Sequence, residues 1–195
     1  MTLKRASIAA VAVLVLAVPI ARGPAGHVAA APPSLHWTFD GGPEGWRAVF
    51  GPGEVRVTLV RENVKVGAGA LESTYAIAPH TYFAVAREVT VPDHPTIVLS
   101  FWMKSTKAGL LGMYLTERDG SAYGHPLAVP ADQWKRFALT SRQFVLDASS
   151  PGNTDENGHL DVGQIAWITI ADFTGLFSQE RGRAAFYVDD FRITP

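Results

Sequence analysis

The last strand-like stretch of the chain, Ala185-Phe186-Tyr187-Val188-Asp189-Asp190-Phe191-Arg192-Ile193, sets two adjacent carboxylates inside an apolar run. Strict alternation places Tyr187, Asp189, Phe191 and Ile193 on one face, so Asp189 is expected to point with the large apolar side chains. An ionised carboxylate there is costly unless a cation or a set of hydrogen-bond donors meets it, and a bound metal ion is one candidate. A second acidic stretch, Asn153 to Asp161, carries oxygen side chains at alternate positions with Gly158 sixth, an echo of a calcium loop. Asn153 at its first position, Gln164 where a bidentate Glu is needed, and the absence of flanking helix signals favour an ordinary turn.

The other chemistry-bearing residues are aromatic. Trp102 is out of phase with Leu99, Phe101 and Met103 and shares its face with Ser100 and Lys104. Tyr114 is out of phase with Leu111, Met113 and Leu115, and Trp167 with Ile168 and Ile170. Tyr82 precedes the apolar phase that starts at Phe83. Four rings on the non-core phase form a candidate ligand platform on one sheet, of the kind that stacks on the apolar side of a sugar ring. The alternative is that a loop buries them, since aromatic residues favour strands in any case. Trp37, Trp46 and Trp134 stand at strand ends and are assigned to the core.

Catalytic signatures are missing from the sequence. No Gly-x-Ser-x-Gly elbow occurs, and His36, His80, His94, His125 and His159 form no zinc-binding pair. Glu72, Glu88, Glu117 and Asp172 lie on or beside expected strands, but nothing in their spacing sets two of them across a cleft, as glycoside hydrolysis requires.

The elements that must position these residues have a period of two. Strands are expected at Val55–Leu59, Leu71–Ile77, Phe83–Val91, Ile97–Met103, Leu111–Leu115, Trp134–Thr140, Ile165–Ile170 and Ala184–Ile193. Gly51-Pro52-Gly53, Gly67-Ala68-Gly69, Pro92-Asp93-His94-Pro95 and Pro151-Gly152-Asn153 separate them, and Asp119-Gly120 marks a hairpin. Many short strands without helical periodicity predict an all-β chain: a two-sheet antiparallel β-sandwich, a jelly roll, as one domain over 35–195.

Ahead of that domain, Lys4 and Arg5 precede the apolar run Ile8–Ile20, and Val28-Ala29-Ala30 follows, the order of a secretory signal peptide over residues 1–30. The run is shorter than the ~20 residues that span a bilayer, a retained anchor being the alternative. Ala31-Pro32-Pro33-Ser34 reads as a stiff leader. The expected location is therefore secreted or periplasmic. Residues 1–30 take three of the 17 basic residues and none of the 18 acids, which leaves the remainder net acidic without a basic run. That composition gives nucleic acid and anionic membrane no electrostatic support as partners. With no cysteine, stability rests on packing and on any bound ion.

Taken in order, Phe39-Asp40-Gly41-Gly42 with Trp46, Gly67-Ala68-Gly69-Ala70-Leu71, Leu99-Ser100-Phe101-Trp102-Met103-Lys104, Trp134-Lys135-Arg136-Phe137-Ala138-Leu139, Gly158-His159-Leu160-Asp161-Val162-Gly163-Gln164-Ile165 and Tyr187-Val188-Asp189-Asp190-Phe191 resemble the galactose-binding-like jelly rolls. The resemblance is to family 11 carbohydrate-binding modules in particular, and it runs over nearly all of the chain after the leader. It implies a non-catalytic module that binds a polysaccharide such as a β-glucan. It also implies a structural calcium joining the first and last strands, with Asp40 and Asp189 as ligands and backbone carbonyls from Gly67–Gly69 completing the shell. Gly41 follows Asp40 where the family usually has a further acid. The complex I intermediate-associated proteins share the architecture without binding sugars, so an envelope protein-interaction or assembly module is the rival reading.

Overall fold

Each long strand has apolar side chains at alternate positions, and a strand with one apolar face is buried only by pairing into a sheet that packs on another. In the computed structural model, which describes residues 34–150 and 152–195, this happens twice. The expected signal peptide and most of the leader lie outside the described residues. In chain order the strands are β1 (Leu35–Trp37), β2 (Arg47–Phe50), β3 (Gly53–Thr58), β4 (Ala70–Ile77), β5 (Phe83–Glu88), β6 (Val98–Ser105), β7 (Leu111–Glu117), β8 (Ala122–Leu127), β9 (Lys135–Thr140), β10 (Val145–Leu146), β11 (Ile165–Asp172) and β12 (Gly182–Thr194). A four-residue helix, α1 (Thr174–Phe177), follows β11.

The first sheet has the order β3-β4-β12-β6-β9, with β1 also paired to β12; the second has the order β10-β8-β7-β11-β5-β2. All these pairs are antiparallel, and the chain is an all-β two-sheet jelly-roll sandwich. Among the described residues no helix is long and apolar enough to cross a membrane.

Leu71, Leu99, Phe101, Met103, Phe186 and Val188 of the first sheet meet Val85, Met113, Leu115, Ile168 and Ile170 of the second, all essentially inaccessible to solvent. Each such side chain contributes about 1.5–3 kcal/mol by leaving water. Phe191 anchors one end, its ring 5.1 Å from that of Phe101 and 5.5 Å from those of Trp37 and Trp46. The Asp119-Gly120 hairpin joins β7 to β8, with Gly120 at φ +100°.

Two sequence expectations change here. The parity of the last strand breaks at a β-bulge between Asp189 and Arg192, where Asp190 takes φ +48°. Two residues of β12 then oppose one of β6, so Phe191 and Ile193 turn into the core while Asp189 stays with Tyr187 on the outer face. Trp134, assigned to the core, is only half-buried. It immediately precedes β9, whose core-facing residues are Phe137 and Leu139. Trp37 and Trp46 are buried as expected.

Candidate functional site

The outward side chains of the second sheet are small along its middle. By register, Gly124, Tyr114, Thr169, Ala86 and Arg47 make one row across the face, and Pro126, Gly112, Ala171, Ala84 and Phe50 the next. These rows form the floor of a trough. Glycine rather than alanine stands at 112 and 124 for a geometric reason. A Cβ on Gly124 would lie 2.8 Å from Tyr114 Cε1, and one on Gly112 3.2 Å from Tyr114 Cε2. The Tyr114 ring therefore lies across the sheet over both glycines, which places a flat aromatic surface on the trough floor.

From Tyr114 a ladder of rings runs to the β2 edge. Tyr114 meets Phe173 edge-on at 5.7 Å, Phe173 meets Tyr82 at 5.5 Å, and Tyr82 stacks on Phe50 at 3.8 Å. The ladder depends on loops as much as on strands. The Phe173 N–H donates to the Leu110 carbonyl at 2.9 Å, and the His80 N–H to that of Gly175 at 2.8 Å, which ties the turn before Tyr82 to the helix after Phe173. Trp167 shares this face but stands apart, with the Arg47 guanidinium 5.1 Å from its ring.

Beyond Tyr114, toward β8 and β10, the trough deepens into a cavity of about 340 Å³ lined by Tyr114, Gly124, His125, Asp147, Phe173 and Phe177. Phe177 is 74 % exposed at its rim. Burial pushes the Asp147 carboxyl up, but hydrogen bonds from Ser149 and Ser150 outweigh it and hold the group below the usual carboxylate range. Burial, with a smaller effect from Asp147, pushes the Tyr114 phenol up. The trough thus pairs an aromatic strip with an ionised carboxylate, a phenolic hydroxyl and an imidazole. A flat ligand with one apolar side and a polar rim matches that arrangement.

Of the four rings expected on one platform, Tyr82, Tyr114 and Trp167 lie on this face, and Trp102 does not. Trp102 belongs to β6 of the first sheet and points outward from the opposite side of the sandwich, with Lys65 Nζ 4.6 Å from its ring. Phase distinguishes inside from outside but not one sheet from the other. Phe50 and Phe173, absent from the sequence expectation, complete the ladder. Both sit at the ends of strands beside turns, where alternation carries no signal.

The carboxylates expected at a shared calcium are engaged differently. Asp189, with no exposed surface, accepts the Lys65 and Val66 N–H groups on Oδ2 at 2.8 Å each and the Asp190 N–H on Oδ1 at 2.7 Å. Asp40 Oδ1 accepts the N–H groups of Ala68 at 2.6 Å and Gly69 at 3.1 Å. Segment 65–69 therefore turns four amides toward the two carboxylates where carbonyl ligands were expected. Burial pushes the Asp189 carboxyl up against the pull of these donors, whereas the Ala68 and Gly69 hydrogen bonds hold exposed Asp40 down.

A different acidic group has the spacing a metal needs. Glu117, Asp119 and Asp155 bring ligand oxygens within 4.8 Å of one another, and Glu117 is buried. Asp155 comes from the 153–161 loop read as an ordinary turn, and the Tyr123 hydroxyl donates to it. Glu117 accepts the Asp161 N–H. Three carboxylates, one of them desolvated, fit a hard cation that takes oxygen ligands, so this cluster could hold a metal. The remaining carboxylates considered for hydrolysis are dispersed. Glu72 accepts Arg56 Nε at 2.7 Å on the outside of the first sheet, Glu88 pairs in register with Trp167, and buried Asp172 accepts Tyr75 Oη and the Thr174 N–H.

The architecture is a jelly roll whose fold is similar to that of family 11 carbohydrate-binding modules. The chain superposes on the family 11 module of the cellulosomal cellulase Lic26A-Cel5E of Clostridium thermocellum with a TM-score of 0.63 and 17 % identity, over 83 % of this chain and 94 % of that one. A Clostridium thermocellum family 11 module in complex with a β-1,3-1,4-mixed-linked tetrasaccharide gives a TM-score of 0.62 at 17 % identity, covering 83 % and 95 %. The CBM22-1 xylan-binding domain of Paenibacillus barcinonensis Xyn10C gives 0.54 at 14 % identity, covering 82 % and 92 %. No protein-family model and no curated protein matches the sequence.

Proposed function

We propose that the protein is an exported, non-catalytic carbohydrate-binding module that holds a β-glucan chain in the trough of the second sheet. The observation that carries this reading is the ring ladder Tyr114–Phe173–Tyr82–Phe50 lying over a floor of glycine and alanine. Pyranose rings stack on the aromatic strip through their C–H faces, and Asp147, His125 and the tyrosine hydroxyls take equatorial hydroxyl groups at the rim. The fold shared with modules whose ligands include a mixed-linked tetrasaccharide and xylan supports the same reading. Export rests on the basic, apolar and small-residue order of residues 1–30. A calcium ion at Glu117, Asp119 and Asp155 would tie the β7–β8 hairpin to the 153–161 loop and stabilise that end of the sandwich without touching the sugar.

The test is affinity electrophoresis through mixed-linkage glucan, xylan and soluble cellulose, with the parent protein beside Tyr114→Ala and Phe173→Ala. Retardation by at least one glucan, lost in both variants while their melting temperatures stay near the parent's, supports the reading. Unretarded migration in every gel, together with specific capture of another envelope protein, replaces it with the assembly-module reading.

A further inference from the structure

The first sheet also carries aromatic rings on its outer face, and they stand among cations. Register aligns Lys104 with Tyr187, Tyr187 with Glu72 and Glu72 with Arg56 across the sheet. The loop between β3 and β4 folds over the neighbouring row and leaves a groove of about 490 Å³, lined by Trp134 on one side and by Arg61, Glu62, Val64 and Lys65 on the other.

Lys104 is the unusual member of this face. Its side chain is nine-tenths buried, with Nζ donating to the Glu62 carbonyl at 2.9 Å and to Asn63 Oδ1 at 2.6 Å. The ammonium also lies 5.9 Å from the Trp134 ring centroid and 5.1 Å from that of Tyr187. Both Glu62 and Trp134 line the groove, so this charge sits directly behind its walls. Among the described residues no carboxylate comes within ion-pair distance of Lys104, Lys65 or Arg61, and the carboxylate across the sheet, Glu72, is engaged by Arg56. A buried ammonium without a counter-ion is expensive to maintain. Here two oxygens and two ring faces hold the ammonium, and its charge adds positive potential behind the groove wall formed by Trp134, Arg61 and Lys65. The contrast with the whole chain, net −1 at pH 7, shows that the positive charge is local.

We propose that this groove is a second binding site, separate from the trough, for an anionic sugar chain: Trp134 stacks on a pyranose ring while Arg61 and Lys65 meet its acidic group, with the buried Lys104 charge behind the wall. Stacking selects a sugar over a free anion, and the two exposed cations, Arg61 and Lys65, select an acidic sugar over a neutral one. Carboxylate-bearing (uronate) and sulfate-bearing glycans share this chemistry. The short groove and the absence of a basic run in the sequence set it apart from surfaces that follow a nucleic-acid backbone.

The test is isothermal titration calorimetry on the purified protein with an oligogalacturonate, a sulfated galactan oligosaccharide and the neutral mixed-linked tetrasaccharide. At least one anionic oligosaccharide is expected to bind, and its affinity to fall as salt is raised. Trp134→Ala, and separately the double variant Arg61→Gln with Lys65→Gln, should each weaken that binding about tenfold, with Trp134→Phe close to the parent. Tyr114→Ala should leave it unchanged. Binding of only one of the two anionic oligosaccharides assigns the acidic group as carboxylate or sulfate. The proposal is overturned if neither binds, if the groove variants bind as the parent does, or if single-stranded DNA or anionic vesicles bind as tightly through the same residues. Because the neutral arm reads the trough and the anionic arm the groove, each reading can fail without the other.

Discussion

Gly124→Ala tests the trough through one methyl group. The substitution adds a Cβ that would sit 2.8 Å from Tyr114 Cε1, 3.2 Å from Cζ and 3.3 Å from Cδ1. Carbon atoms in contact prefer ~3.5–4.0 Å, so the ring must withdraw by roughly 1 Å. It can do so, because Tyr114 is half-buried with its outer side on the trough. Stability should barely change, since alanine in a strand recovers ~0.5–1 kcal/mol of backbone entropy over glycine, against a comparable strain from the displaced ring. Binding should change more. Moving one ring of the ladder forfeits much of a stacking contact worth ~0.5–1.5 kcal/mol, a loss of about three- to tenfold in affinity. Calorimetry with the mixed-linked tetrasaccharide measures this, and Gly41→Ala serves as the control, because a Cβ there meets nothing within 4 Å. Parent-like affinity in Gly124→Ala, with a structure of the variant showing the ring displaced, would refute the role assigned to Tyr114.

Three further outcomes follow from the hydrogen bonds and charges. Asp189→Ala leaves the Lys65, Val66 and Asp190 amides without their acceptor in a buried setting and should cost about 2–4 kcal/mol in urea unfolding, with rapid amide exchange across residues 65–69. Chelation with EDTA should lower the melting temperature of the parent and calcium should restore it, whereas Glu117→Gln should melt at one temperature in both conditions. Burial pushes the Asp190 carboxyl up, but hydrogen bonds from Arg192 and His36 and their charges outweigh this and hold it below the usual carboxylate range. A depressed folded-state value stabilises above the unfolded pKa and is lost as pH falls through the depressed one. The stability gap between parent and Asp190→Asn should therefore be open at pH ~7 and close below pH ~3, measured by urea unfolding at each pH.

Much of the sandwich was legible because its long strands are two-faced. Leu99, Phe101 and Met103, or Phe83 and Val85, share a phase that marks the inside by the position of the large apolar side chains. The short strands β1, β2 and β10 were invisible because two to four residues cannot display a period, and β8 because His125 and Pro126 interrupt its pattern. The bulge at Asp190 reversed the phase of the last strand, a change that depends on one residue adopting a left-handed backbone. The site was legible only in part for a related reason. Alternation found Tyr114 and Trp167 as outward rings, but only strand order could remove Trp102 to the opposite face and bring Phe173 in from a turn. Likewise Glu117 and Asp119 are neighbours in sequence, while Asp155 joins them through a loop whose path no local pattern announces.

Sugar binding in the trough is tested most directly by following backbone amide resonances during titration with the mixed-linked tetrasaccharide. Shifts concentrated at Gly112, Tyr114, Gly124, Thr169 and Phe173, with residues 59–68 and 134 on the far face unmoved, are the predicted result. Saturating shifts that cluster away from the second sheet, or none with any neutral β-glucan at millimolar concentration, would contradict it.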